Sequence, residues 1–270
     1  MNPLRIKIYT RSMNLALYNR SMFFLDLQYP LVRLTNTTAE GYLYQLIQDE
    51  DADIIINIDE DAFVLDLNRL KKLIIYVIEN KYINCGMPDG GVVHLRHLNP
   101  LVTNPYFNIL NVKEIRKKIS SFDVVEYSTH KDSYMENYPT HILKGPYEFV
   151  YYEPYYPFFV WMSQNFKTLY LNAETHSDGL SSVLQDNNNQ PFLIHTWYSR
   201  LYNVDKEHTK RINNAFRECE LSCGRSYKPT ITELISTSFS HNIFQIKSNL
   251  LRMKKRLFNS KKIHSENGNT

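Results

Sequence analysis

The chain has 270 residues, of which 43% are hydrophobic and 13% aromatic, and its formal net charge is +3. This composition is enough for one sizeable core, and eight glycines and eleven prolines exclude a collagen-like or low-complexity chain. The positive charge is concentrated in residues 245–262, which hold seven basic residues and no acidic one. The rest of the chain is therefore mildly acidic, which argues against a nucleic-acid-binding protein.

The number of cysteines and the length of the apolar runs indicate the cellular compartment of the protein. Cys85, Cys219 and Cys223 are odd in number and lack the spacing of a secreted disulfide framework, so we expect reduced thiols. The first residues do not form a signal peptide, and no run approaches the roughly 20 apolar residues of a spanning helix. We therefore expect a soluble, cytoplasmic protein.

Hydrophobic periodicity predicts strands that alternate with helices through the first two-thirds of the chain, as in an α/β sandwich. The nearly continuous apolar run before Asp59 indicates a strand buried on both faces of a mixed or parallel sheet. The predicted strands are Ile6–Tyr9, Leu31–Leu34, Asp53–Ile58, Tyr82–Cys85, Val92–Leu95, Asp123–Tyr127, Leu169–Leu171 and Phe192–His195. The predicted helices are one capped by Thr37 or Thr38, then Leu67–Glu79, Val112–Ser121, Tyr198–Glu220 and Thr232–Phe258.

Three acidic residues, Asp59, Glu60 and Asp61, directly follow the buried strand. Residues i and i+2 of an extended chain point the same way, so Asp59 and Asp61 share a face and Glu60 does not. Two carboxylates in this arrangement can hold a divalent cation that also binds phosphate oxygens, beyond the carboxyl end of a strand. The simpler interpretation is a solvated acidic turn before the next helix.

A histidine, His195, stands at the end of another apolar strand. Its imidazole would complete a set of two oxygens and one nitrogen, which suits Mn²⁺. The alternative is a histidine that only bonds to the backbone.

The order of these parts resembles the GT-A nucleotide-sugar glycosyltransferases. The shared elements are Asp59-Glu-Asp61, the stretch Gly90-Gly-Val-Val-His-Leu-Arg96, the segment from Glu148 to Trp161, and His195. The resemblance implies a Rossmann-like, three-layer GT-A sandwich with a mixed central sheet over residues 1–200. A helical C-terminal extension over 201–260 and a frayed tail over 261–270 would follow it.

The resemblance also implies roles for individual residues. Asp59, Asp61 and His195 would hold Mn²⁺ or Mg²⁺, and Thr10, Arg11, Arg96 and Arg200 would contact the nucleotide-sugar donor. The first strand is followed by no Pro-x-Tyr-Asn nucleotide loop, which is a departure from the family pattern. The base that activates the acceptor hydroxyl would be Glu153 or Asp178, with Glu148 and Glu174 as rivals.

Two further segments suggest partners. Nine of the fifteen residues from Tyr147 to Trp161 are aromatic, and we expect Phe158, Phe159 and Trp161 in the core and one or two tyrosines beside a glycan or glycolipid acceptor. Residues 243–258 combine an apolar stripe with basic residues, as in a helix that lies on an anionic membrane or simply packs on the body.

The interpretation that results is a metal-dependent glycosyltransferase of surface-polysaccharide or glycolipid assembly. A nucleotidyl- or phosphoryl-transferase also pairs carboxylates at a strand end, although it would usually carry a glycine-rich phosphate loop that this sequence lacks. A non-enzymatic carbohydrate-binding domain with a Ca²⁺ site is the third alternative.

Overall fold

The computed structural model describes residues 3–35, 37–119 and 121–235. Within them the chain forms ten strands and seven α-helices in an α/β arrangement, as predicted. The strands are β1 (Ile6–Arg11), β2 (Leu31–Leu34), β3 (Ile54–Ile58), β4 (Ala62–Val64), β5 (Asn84–Gly86), β6 (Phe107–Leu110), β7 (Thr168–Tyr170), β8 (Ala173–Thr175), β9 (Ser182–Gln185) and β10 (Pro191–His195). The helices are α1 (Leu15–Phe23), α2 (Ala39–Gln48), α3 (Leu67–Glu79), α4 (Val112–Lys118), α5 (Ser121–Glu126), α6 (Tyr156–Asn165) and α7 (Lys206–Cys223).

The central sheet has six strands in the order β2-β1-β3-β6-β5-β7 and is mixed. The β1 strand pairs in parallel with β2 and β3, and β5 pairs in parallel with β7, whereas β6 runs antiparallel to both of its neighbours. A second sheet, in the order β4-β10-β9-β8, is entirely antiparallel. The fold class predicted from the sequence, a Rossmann-like α/β protein with a mixed sheet, is confirmed.

Two hydrophobic clusters pack against opposite faces of the central sheet and give the molecule its layers. All five residues of β3 are buried, with Ile54, Ile56 and Ile58 in one cluster and Ile55 in the other. The first cluster takes its side chains from α1, α3, α7 and the second sheet, and the other takes them from α2, α4 and α6. The expected burial of Phe158, Phe159 and Trp161 is confirmed.

Several elements follow directly from local signals. The α3 helix spans the predicted residues, its apolar positions Leu70, Leu73, Ile74 and Val77 are buried, and Asp66 caps its first turn by accepting from the Arg69 N–H at 3.0 Å. The α2 helix is capped by Thr38, as predicted. The β2 strand also has the predicted bounds.

Three predicted elements are wrong. Asp123–Tyr127 was predicted as a strand from its β-branched residues, but residues 121–126 form α5, which packs against α6. This is a tertiary contact that overrides a weak propensity. Val92–Leu95 forms no strand, because the chain folds there into a tight loop held by the bridge between Gly90 and His97. The helix predicted from Tyr198 begins only at Lys206, since Tyr198 has a left-handed backbone (φ 60°) and Asp205 provides the cap.

The C-terminal part is described only as far as residue 235. Helix α7 packs Ile212, Ala215, Phe216 and Cys219 into the first cluster, and residues 231–235 are helical. The predicted membrane-binding stripe of 243–258 and the tail of 261–270 lie outside the described residues, and the proposed division at residue 200 stays a prediction. In the described part of the chain, none of the helices has the length and apolar character needed to cross a bilayer.

The close packing of the backbone around Gly90 can be tested by substitution. A Cβ at Gly90 would lie 1.7 Å from the backbone oxygen of Leu98, so we expect Gly90→Ala to lower the free energy of unfolding by about 3 kcal/mol. Gly145 is a matched control, because a Cβ there would meet no atom within 4 Å. Urea unfolding should show Gly145→Ala within about 0.5 kcal/mol of wild type, and equal effects of the two substitutions would contradict the described packing.

Candidate metal centre

The acidic residues lie where the chain leaves the central sheet and enters the second one. The Asp59 N–H donates to the carbonyl of Tyr106 at 2.9 Å, which extends the pairing of β3 with β6 by one residue. The Ala62 N–H donates back to the Asp59 carbonyl at 3.1 Å and closes a tight turn. Strand β4 starts at Ala62, so the three acidic side chains occupy the junction between the sheets.

Pairing of β4 with β10 brings His195 to this junction. Ala62 is the register partner of His195, and the Thr196 N–H and hydroxyl both donate to the Asp61 carbonyl at 3.0 Å. The His195 Nε2 lies 3.3 Å from the Asp61 Oδ1. One ligand atom from each of Asp59, Asp61 and His195 falls within 4.8 Å of the others, a grouping that could hold a metal ion.

The surroundings of the His195 ring fit a cation. The ring stacks on Tyr106 with centroids 4.0 Å apart and meets Trp197 at 4.1 Å, and its side chain is 4% exposed. The Nδ1 atom is buried and has no hydrogen-bond partner in the part of the chain that the structure describes. The nitrogen beside Asp61 is Nε2, so a cation bound together with Asp61 would take this atom. The donor set of two carboxylates and one imidazole suits Mn²⁺ or Mg²⁺.

The two carboxylates ionise differently. Burial raises the pKa of Asp59 to about 6, with a further contribution from the charge of Asp61, and Arg11 and His195 only partly oppose it. Burial also acts against the ionisation of Asp61, but the charge and hydrogen bond of His195, together with a backbone N–H and the charge of Arg211, hold the pKa of Asp61 below its usual value. A divalent cation between them would favour the ionised form of both.

Glu60 turns away from the other two, as its position in an extended strand predicts. Its Oε2 accepts hydrogen bonds from the Ser12 hydroxyl at 2.8 Å, the Met13 N–H at 3.0 Å and the Asn14 N–H at 2.7 Å. Burial raises the pKa of Glu60 to about 7 despite these donors. No role for Glu60 was predicted from the sequence, because backbone N–H donors leave no signature in a sequence.

Of the residues expected to contact a donor, Arg11 lies at the cluster. Its Nη2 is 3.8 Å from the Asp59 Oδ2, and its guanidinium carbon is 6.0 Å from the centre of the Tyr42 ring. Thr10 is buried, and its hydroxyl lies 3.8 Å from the Met22 sulfur. Arg200 is exposed and makes no ion pair or hydrogen bond with the described residues.

Arg96 forms an ion pair with Asp89, a carboxylate that was not among the site residues predicted from the sequence. Its Nε and Nη2 donate to the two oxygens of fully buried Asp89, both at 2.6 Å, and Asp89 also accepts from Asn104 and from the Tyr156 hydroxyl. The guanidinium lies 5.4 Å from the ring centre of Trp197, which touches His195. Arg96 therefore borders the candidate metal site through Trp197. Its partner Asp89 lies seven positions earlier in the sequence, a spacing that could have suggested the pair.

The two candidate bases differ in how far their oxygens are occupied. Asp178 accepts from the Leu180 N–H at 2.9 Å, the Ser181 N–H at 2.7 Å and the Ser181 hydroxyl at 2.6 Å, within its own turn. Glu153 is half-buried just before α6, and its carboxylate makes no hydrogen bond or ion pair with the described residues. The structure does not bring Asp178 into the metal cluster, nor Glu153.

No family model and no curated protein matches this chain. Among solved structures, the protein A197 from STIV is 15% identical with a TM-score of 0.32, over 44% of this chain and 70% of that one. The mannosyltransferase PcManGT from Pyrobaculum calidifontis, solved in complex with GDP-Man and Mn²⁺, is 8% identical with a TM-score of 0.33, over 43% of this chain and 47% of that one. At these identities and TM-scores, neither structure indicates the activity of this chain.

The raised pKa of Asp59 predicts how its charge affects stability. The folded chain binds this proton more tightly than the unfolded chain does, so stability falls as the pH rises from about 4 to about 6, and the loss is complete above that interval. Asp59→Asn should therefore stabilise the metal-free protein at pH 8, on the order of 2 kcal/mol, and much less at pH 4.

Urea unfolding in the presence of EDTA at both pH values measures this difference. Asp132→Asn is the control, because the Asp132 side chain is fully exposed. A destabilisation by Asp59→Asn at pH 8 would show that the contact with Arg11 outweighs the burial of the charge.

Proposed function

We propose that the chain is a metal-dependent glycosyltransferase that moves a sugar from a nucleoside-diphosphate donor to a glycan or glycolipid acceptor. The observation that carries this proposal is the grouping of Asp59, Asp61 and His195 at the carboxyl end of a buried strand, with Arg11 beside it. Ligands of open α/β sheets bind beyond the carboxyl ends of the strands. A mixed carboxylate and imidazole site there is suited to a cation that also binds phosphate oxygens.

In this proposal Asp59, Asp61 and His195 hold Mn²⁺ or Mg²⁺. The bound cation supplies a Lewis acid where negative charge develops on the departing diphosphate. Arg11 adds a second positive group on the Asp59 side of the cluster. Its 3.8 Å separation from the Asp59 carboxylate is longer than a hydrogen bond, so the guanidinium keeps its donors for another anion.

The acceptor side is proposed to lie along the segment that precedes α6. Glu153 is the better candidate base, because its carboxylate is not occupied by other donors, whereas the oxygens of Asp178 are. Tyr147 and Tyr152 are 38% and 69% exposed and offer flat surfaces for a sugar ring. Tyr147 also packs against Gly91, in the loop whose Arg96 reaches Trp197 beside the metal cluster.

A thermal-shift panel of UDP, GDP, CMP and dTDP compounds, with and without Mn²⁺, tests this proposal. One diphosphate should raise the melting temperature only when Mn²⁺ is present, because the cation is proposed to bind the phosphate oxygens. The shift should be easy to detect, since a ligand at about 100 times its Kd adds about 2.7 kcal/mol to stability. Asp61→Asn should abolish the shift. Glu60→Gln should retain it, because Glu60 faces the loop after β1 and not the cluster.

Equal losses in both variants, or a loss in neither, would contradict the metal assignment. Stabilisation by free sugars without any nucleotide would instead favour a carbohydrate-binding domain. Turnover of a nucleoside triphosphate in place of a sugar donor would favour a nucleotidyltransferase.

A further inference from the structure

The loop after β1, residues Ser12–Asn14, is held from inside by Glu60. Three donors of this loop converge on the single oxygen Oε2, namely the Ser12 hydroxyl and the N–H groups of Met13 and Asn14. Glu60 is only 6% exposed, so the carboxylate that receives these donors is almost wholly removed from water. A buried carboxylate of this kind is stable only where it is well supplied with donors.

These donors form the type of cradle that proteins use to bind anions. Two consecutive backbone N–H groups and a hydroxyl point at one oxygen, and Asn14 caps α1 by accepting from the Ala16 and Leu17 N–H groups. In doubly wound α/β folds, the turn between the first strand and the first helix receives the phosphate of a bound nucleotide. Here a carboxylate of the chain itself takes that place.

Arg11 is the last residue of β1 and pairs with Leu34 of β2, and this loop continues directly from it. The Arg33 Nε donates to the Ser12 hydroxyl at 3.0 Å, and that hydroxyl donates onward to Glu60. Ser12 and its two successors are thereby fixed immediately after Arg11, whose guanidinium lies 3.8 Å from Asp59. Without Glu60, the Met13 and Asn14 N–H groups would lose their acceptor, and the loop would be held only through Ser12, whose N–H donates to the Leu34 carbonyl at 2.9 Å.

We propose that Glu60 is the positioning residue of this site, an internal hydrogen-bond acceptor that fills the first βα turn and so keeps Arg11 beside Asp59. The diphosphate of the donor is thereby directed to the cation and to Arg11, and not to the turn that commonly binds phosphate in this kind of sheet. This inference rests on the proposed function, because it assigns the phosphate partners within the same site.

Two substitutions of Glu60 distinguish the proposed positioning role from a general structural role. Glu60→Gln keeps an oxygen that can accept all three hydrogen bonds, since the bonds use one of the two carboxylate oxygens. Glu60→Ala removes the CH₂–COO⁻ group, which has the size and charge of acetate. Acetate can therefore reoccupy the vacated cradle of Glu60→Ala, and chloride at equal ionic strength cannot reproduce its shape.

The experiment measures two affinities, that of Mn²⁺ alone by electron paramagnetic resonance and that of the preferred nucleoside diphosphate with Mn²⁺ by calorimetry. In Glu60→Ala the Mn²⁺ affinity should stay within about twofold of wild type, while the diphosphate affinity should fall about tenfold, as for the loss of one charge-assisted contact. Acetate at tens of millimolar should restore most of the lost diphosphate affinity. Glu60→Gln should retain the affinity without acetate.

Asp186 provides a matched control. It is also buried, and its Oδ1 accepts from the Asn188 N–H at 2.8 Å and the Gln190 N–H at 3.0 Å, in the turn between β9 and β10. This turn lies at the opposite end of β10 from His195. Asp186→Ala should lower the melting temperature but leave the diphosphate affinity unchanged, with or without acetate.

Four outcomes would overturn the inference. Acetate could raise the melting temperature of Glu60→Ala without restoring diphosphate affinity, which would make Glu60 purely structural. Glu60→Gln could be as impaired as Glu60→Ala, or Glu60→Ala could lose Mn²⁺ as Asp61→Asn does, which would make Glu60 a metal ligand. Wild-type protein that binds no diphosphate with Mn²⁺ would overturn the proposed function and this inference with it, whereas the first three outcomes leave the proposed function intact.

Discussion

The pairing register between β4 and β10 is the constraint on which the candidate site depends. It sets Ala62 opposite His195 and fixes the Asp61 carbonyl with two hydrogen bonds from Thr196, across 135 positions of sequence. Side chains alternate between the faces of a strand, so a slip of one residue would turn the imidazole to the other face of the sheet. The second sheet therefore does more than cover the first, because it brings the His195 imidazole to the two carboxylates.

Three adjacent acidic side chains, of which Glu60 and Asp61 are buried and Asp59 is half-buried, can lie here because each has a partner of a different kind. Asp59 faces the guanidinium of Arg11, Glu60 takes the donors of the loop after β1, and Asp61 faces the imidazole of His195. These partners do not fully offset the loss of water, since the pKa values of Asp59 and Glu60 remain raised. A chain under selection for stability alone has little reason to keep such a site, so the residual penalty favours a functional role.

The sequence allowed the central strand and its acidic end to be predicted, but not the contacts that organise them. The run from Ile54 to Ile58 is β-branched and apolar, and the α3 pattern repeats at helical spacing with Asp66 before it, so both elements follow from local physics. The β4 strand has only three residues and was missed, and with it the register that brings His195 to Asp61. The task of Glu60 was hidden for another reason, because its partners are backbone N–H groups that any residue type would provide.

The three candidate arginines could not be ranked from the sequence either. Sequence context made Arg11, Arg96 and Arg200 equivalent candidates, whereas the structure separates them by what already occupies their donors. Arg96 forms a two-pronged pair with buried Asp89, and breaking such a pair would leave an uncompensated charge. Arg11 lies 3.8 Å from its carboxylate, at the end of the strand that leads into the loop bonded to Glu60. In the proposed function a cation at Asp59 would take over the neutralisation of that carboxylate. Arg11 would then turn to a phosphate oxygen without leaving any charge unpaired, because the group that replaces it at Asp59 arrives with the ligand.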